Sequence, residues 1–140
     1  MFVVLDTNHY RELLLGTHLS EPLNLRLSEA DADAFTTIIT IQEVTQGWTA
    51  EINRKKPGRD QLQAYRQYQN AIEDFSSITI LPFDEEAAAA FQQLQSLRLG
   101  VGTMDLKIAA ICISHASLLL TRNTVDFAQI PGLRLENWLD

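Results

Sequence analysis

Five side chains that carry oxygen donors stand where apolar runs of this chain end. Asp6 follows Phe2–Leu5, Glu43 lies one helical turn beyond a second apolar stretch, and Asp105 opens a helix beginning near Thr103. Asn123 and Asp126 follow Leu118–Leu120 within the loop Thr121-Arg122-Asn123-Thr124-Val125-Asp126-Phe127. In an open parallel sheet the ligand crevice lies outside the carboxyl ends of the strands, so all five can reach one edge. Three or four carboxylates converging there repel each other unless a cation neutralises them. Hard oxygen donors select Mg²⁺ or Mn²⁺ over zinc, and Mg²⁺ completes its shell with water and phosphate. The chemistry that follows is metal-assisted phosphodiester hydrolysis.

The elements that must position these residues are legible as alternating strands and helices. Phe2–Leu5 is an unbroken apolar run, suited to a strand buried on both faces. A short helix over Tyr10–Leu15 is predicted to stop at Gly16, and residues 17–33 read as irregular and acidic with some helix. Phe35–Ile39 is predicted to be the second strand. Thr40 and Glu43 then have the spacing of a capping box, opening a helix that runs past Trp48. Lys55-Lys56-Pro57-Gly58 breaks it. Leu62, Tyr65, Gln69, Ile72 and Phe75 recur at the spacing of an amphipathic helix. A third strand at Ile78–Leu81 leads to Asp84 as an N-cap, and Ala87, Ala90, Phe91, Leu94 and Leu97 mark the buried face of the next helix. Gly100-Val101-Gly102 separates it from the helix starting near Thr103. Leu118–Leu120 is a fourth strand and Leu133–Leu135 a small fifth. This order predicts an α/β fold, a three-layer α/β/α sandwich with a mainly parallel sheet of four to five strands, formed by residues 1–140 as a single domain.

Composition narrows the function classes. A hydrophobic share of 46% against 21% charged excludes disorder throughout. The net charge of −7 disfavours a generic cationic nucleic-acid binder. Removing Asp6, Glu43, Asp105 and Asp126 from the count leaves −3, so much of the acidity is assigned to the crevice. The single cysteine, Cys112, excludes an internal disulfide and a cysteine-built zinc site. The opening apolar run meets Asp6 too early for a signal sequence or a membrane span, and the expectation is a cytoplasmic protein with no membrane partner. Arg54, Lys55, Lys56, Arg59 and Arg66, with Asp60 against them, form a basic run that reads first as a solvated helix start and second as a phosphate-tracking patch.

Four segments carry a resemblance to a known family. Asp6-Thr7-Asn8, Ile39-Thr40-Ile41-Gln42-Glu43, Gly102-Thr103-Met104-Asp105-Leu106-Lys107-Ile108-Ala109-Ala110 and Thr121–Phe127 resemble the PIN-domain ribonucleases, in particular the VapC-type toxins of toxin–antitoxin modules. The closing Gly132–Trp138 is similar to the end of that group. The resemblance implies an endoribonuclease dependent on Mg²⁺ or Mn²⁺ and acting on structured RNA such as tRNA. It also implies a homodimer held inactive by a VapB-type antitoxin whose tail covers the site. By motif position Asp6, Glu43 and Asp105 correspond to the metal-binding core acids, and Asn123 or Asp126 to the fourth position. An asparagine there offers a neutral oxygen and leaves one- or two-ion chemistry open.

Each of these residues also has a plain structural use. Glu43 is occupied if the capping box forms, and Asp126 suits a loop-forming turn. Thr7, Asn8 and Thr121 either orient ligands or cap helices. Arg122 either binds phosphate or pairs with the acids. His9, His18 and His115 lack ligand spacing, and Trp48 and Trp138 read as core. Two other functions fit less well. A catalytically silent PIN-like binding module would lack the core acids, and a phosphoacceptor domain would need its reactive aspartate after the third strand, where Asp84 reads as a cap.

Overall fold

Residues that alternate along short buried strands divide the interior into two cores, one on each face of a sheet. In the computed structural model, which describes residues 1–140, five strands are ordered β3-β2-β1-β4-β5 and every pairing is parallel. The strands are β1 (Phe2–Leu5), β2 (Asp33–Thr37), β3 (Thr79–Leu81), β4 (Leu118–Leu120) and β5 (Arg134–Glu136). Val4 and Leu119 face a core shared with α5 (Glu85–Ser96), α6 (Thr103–Ser114) and the short α7 (Thr124–Phe127). Val3, Leu5, Leu118 and Leu120 face the other, shared with α1 (Thr7–Leu15) and α2 (Ser20–Glu29). This is the expected three-layer arrangement. The chain leaves β1 in one direction for β2 and β3 and returns on its other side as β4 and β5. The carboxyl ends of β1 and β4 therefore flank a topological switch point, where such sheets bind ligands.

Local sequence explains most boundaries, and tertiary contacts explain the departures. Helix α1 begins at Thr7 because Asp6 caps it, its Oδ1 accepting from the Thr7 amide at 2.8 Å, and it ends on Gly16 at φ 65°. The stretch read as irregular contains α2, which buries Leu23 and Leu27 one turn apart and tolerates Pro22 because that residue lies in the first turn. The second strand stops at Thr37, two residues short of the expected Ile39. Thr36 is fully buried and its hydroxyl donates to the Leu5 carbonyl at 2.8 Å, which pins the strand end beside β1. Thr37 then caps α3 (Ile38–Asn53), accepting from the Thr40 amide at 3.1 Å. The capping box expected from Thr40 and Glu43 is thus replaced by a cap three residues earlier, and Glu43 moves into the second turn with no capping role. Thr37→Ala is expected to cost about 1 kcal/mol in urea unfolding, since it removes that cap.

Beyond α3 a turn through Gly58 leads to α4 (Leu62–Asp74), which folds back on α3. The amphipathic helix forms as expected, but much of its apolar stripe is open: Leu62, Tyr65 and Ile72 are all about half exposed, and only Ala64 is buried. Within the basic run Arg54 and Lys55 both pair with Glu51, so Asp60 is not their only counter-charge. Leu97 also proves exposed, one residue past the end of α5. Gly47 lies in the interior of α3, where glycine costs about 1 kcal/mol relative to alanine. No helix is long and apolar enough to cross a membrane.

Candidate active site

Asp6 leaves the end of β1 and is almost fully buried at 8% exposure, where an isolated carboxylate would be costly. Two donors hold it: the Thr7 amide on Oδ1, and the Thr121 hydroxyl on Oδ2 at 2.7 Å. Thr121 is itself buried at the end of β4, and its oxygen also accepts from the Asn123 amide at 3.0 Å. The Asn123 side chain continues the network, its Nδ2 donating to Asp105 Oδ2 at 3.2 Å and to Asp126 Oδ2 at 3.1 Å. A hydrogen-bonded chain thus runs from Asp6 through Thr121 and Asn123 to Asp105 and Asp126. The segment expected to be a loop is a turn closed by α7, whose Phe127 is fully buried and fixes Asn123 and Asp126 in place.

Glu43 reaches the same corner from α3 but stands outside this network. Its Oε1 is buried without a hydrogen-bond partner. Burial, then the charges of Asp6 and Asp105, push its pKa up to about 7. Asp6 is raised by burial, against the pull of its bonds to Thr121 and Thr7. Asp105 is raised by burial and by the nearby charges of Asp6 and Asp126, with the Asn123 bond opposing. All three carboxyls are therefore held above their ordinary range, each first through burial, and Glu43 and Asp105 also through neighbouring acids. No three acidic, histidine or cysteine side chains close into a tight preformed cage. An open set with an orphaned carboxylate oxygen fits a cation that takes one or two carboxylates and keeps water, as Mg²⁺ does. The donors are all hard oxygens, which fits the same class of ion.

The remaining predicted residues fall differently. Thr7 lines the groove beside Glu43, its hydroxyl buried and unpartnered. Asn8 is exposed and forms no side-chain hydrogen bond. Arg122 does not pair with the acids of the corner; its guanidinium meets Asp140 at 3.3 Å. Asn123 turns its nitrogen, not its oxygen, toward the acids, because two carboxylates can only accept. His9 is fully buried with Nε2 accepting from the Trp138 amide at 3.1 Å, which makes both residues structural. Trp48 is only half-buried and lines a groove with Arg11, Glu43, Gly47, Glu51 and Gln67, so it is not core. Positions 43, 47 and 51 share one helix face, a spacing that marks this groove in the sequence once Glu43 is placed.

A family model described as PIN domain matches residues 3–133. The chain belongs to the PIN-domain family. Among curated PIN-domain relatives, Ribonuclease VapC1 of Rickettsia felis is 42% identical over 64 residues, 43% of this chain and 48% of the relative. The tRNA(fMet)-specific endonuclease VapC of Shigella flexneri is 38% identical over 72 residues, covering 48% and 54%. This PIN chain thus spans about half the length of those curated relatives. A solved structure of DNA-bound VapBC from Salmonella typhimurium shares the fold along the full chain, with a TM-score of 0.73 at 27% identity over 99% of this chain and 98% of that one.

Proposed function

We propose that this PIN-domain chain is a divalent-metal-dependent endoribonuclease, the toxin of a toxin–antitoxin pair, working as one catalytic unit in the cytoplasm. The observation that carries the reading is the corner at the β1–β4 switch point, where Asp6, Asp105 and Asp126 share one hydrogen-bond network and Glu43 presents an unpartnered oxygen. Asp6, Glu43 and Asp105 would hold Mg²⁺ or Mn²⁺. When bound, the ion activates water and neutralises charge on the scissile phosphate. The chain's own residues prepare that chemistry. Thr121 and the Thr7 amide fix Asp6, so its carboxylate needs no reordering. Asn123 holds Asp105 and Asp126 at a set spacing. Glu43, its pKa pushed up to about 7 by burial and the neighbouring acids, would give up its proton on taking the ion.

The substrate class is structured RNA, with tRNA to be tested first because the Shigella relative is named a tRNA(fMet)-specific endonuclease. A VapB-type antitoxin is the proposed protein partner, and a homodimer the proposed assembly. An apolar trough lined by Tyr10, Leu14, Val44, Trp48, Ala71 and Phe75 suits an amphipathic antitoxin helix. The purified chain is expected to cut tRNA in Mg²⁺ or Mn²⁺, to lose that activity in EDTA and to regain it on adding back either ion. Cleavage that persists in EDTA would overturn the metal mechanism.

A further inference from the structure

The groove that leaves the acid corner along α3 has features the metal chemistry does not use. It measures about 400 Å³, within the range of small-ligand sites, and opens at one end on Glu43. Gly47 forms part of its wall in the middle of α3, yet a Cβ built there would meet nothing within 4 Å. No neighbour within the chain demands a glycine at that position. The missing side chain instead leaves bare helix backbone facing the groove. Trp48 stands next to it, half-buried and lining the same space. Arg11 from α1 and Gln67 from α4 complete the walls, with Glu51 toward the hairpin tip.

Only two of the eight lining residues are hydrophobic, so the groove is poorly suited to the apolar face of a helix. One aromatic plane, a bare floor and a rim of amide, carboxylate and guanidinium groups suit a flat heteroaromatic ring with polar edges. We propose that this groove seats a nucleobase of single-stranded RNA, stacked on Trp48 over Gly47, one step along the strand from the phosphate at Glu43. The inference rests on the nuclease reading and deepens it by assigning the substrate a base-binding subsite. Stacking also answers an electrostatic problem. A chain of net charge −7 gains little from backbone attraction, whereas base stacking is sequence-tolerant and independent of net charge. Gln67 is placed to meet the polar edge of the base and Arg11 to meet its flanking phosphate, while Glu51 is held at the rim by Arg54 and Lys55.

The test is tryptophan fluorescence of the full chain carrying Asp105→Asn, titrated in Mg²⁺ with a single-stranded hexaribonucleotide. Saturable quenching is expected. It should vanish when Trp48→Phe is added, although Trp138, only 8% exposed, still emits. Trp48→Ala should weaken binding about tenfold, the scale of one lost stack. Gly47→Leu should fill the groove and block quenching, and a retained thermal transition shows that it folds. Gly47→Ala should bind more weakly while melting a few degrees higher. Unchanged fluorescence, or quenching that survives Gly47→Leu, overturns the proposal. Quenching by an amphipathic peptide but not by the hexanucleotide overturns it in favour of a protein occupant. If the unsubstituted chain cuts RNA but Trp48 does not respond, the base site alone fails. If it does not cut RNA in Mg²⁺, the nuclease reading fails on its own assay.

Discussion

Asp105→Asn and Glu43→Gln are each expected to lower RNA cleavage by at least about 10³-fold while making the metal-free protein more stable. The two effects share a cause. Both carboxyls are held above their ordinary range, Glu43 up to about 7, by burial and by neighbouring acids. A folded-state pKa raised above the unfolded value favours folding fully below the unfolded value, and that benefit is lost as pH rises through the folded one. At pH 8 the ionised Glu43 is therefore a burden on the fold. Removing its charge should return roughly 1–2 kcal/mol, after allowing for solvent screening at a half-exposed side chain. At pH 4, where Glu43 is largely neutral in both states, the gain should nearly disappear. Urea melts of the two proteins at both pH values, in EDTA, measure it. A Glu43→Gln protein that is less stable than the parent at pH 8 would contradict this account. Mg²⁺ should narrow the gap, because it stabilises only the chain that keeps its ligands.

Acid should weaken the fold through His9, in the opposite direction. Burial first, and the charge of Arg122 second, push this imidazole from 6.5 down to about 4, with Asp140 opposing. The folded protein then binds fewer protons than the unfolded chain between those values. Its stability is complete above about pH 6.5 and falls as pH drops through 4, by about 2–3 kcal/mol in all. The structural reason is that Nε2 must stay unprotonated to accept from the Trp138 amide at 3.1 Å, and no carboxylate bonds Nδ1. Because the site acids contribute with the opposite sign, the informative quantity is a difference between proteins. His9→Gln retains an acceptor for Trp138 and should flatten the His9 contribution. If parent and variant lose stability in parallel between pH 7 and 4, His9 is not the group responsible.

Much of the site was legible because strand ends in a parallel sheet are marked by abrupt changes of residue type. Uniform apolar runs gave β1 and β4, and the polar residue after each begins the acid corner. Asp84, with its oxygen on the Ala87 amide at 3.0 Å, and Gly16 were legible because caps are local. The border between β2 and α3 was not. Thr36 through Ile39 are all β-branched, and the strand end is set by the bond from Thr36 to Leu5, 31 residues away, together with the Thr37 cap. That cap frees Glu43 from the expected capping role. Periodicity marks α4 but not its orientation, since a helical repeat does not say which face meets a neighbour. Arg122 has a partner in Asp140, 18 residues on, which no spacing rule connects to it.

The Thr121 hydroxyl and the carboxylate it fixes are 115 residues apart, and β1 waits just as long for β4. Contacts so distant form late, after the loop between them has been closed. During synthesis Asp6, Glu43 and Asp105 all emerge before Thr121 and Asn123, which tie Asp6 to Asp105. An incomplete polypeptide could thus pair β1 with β2 yet lack β4 and the Thr121 hydroxyl that fixes the second oxygen of Asp6. If the chain is the ribonuclease proposed above, the order of assembly delays competence until most of the chain has left the ribosome.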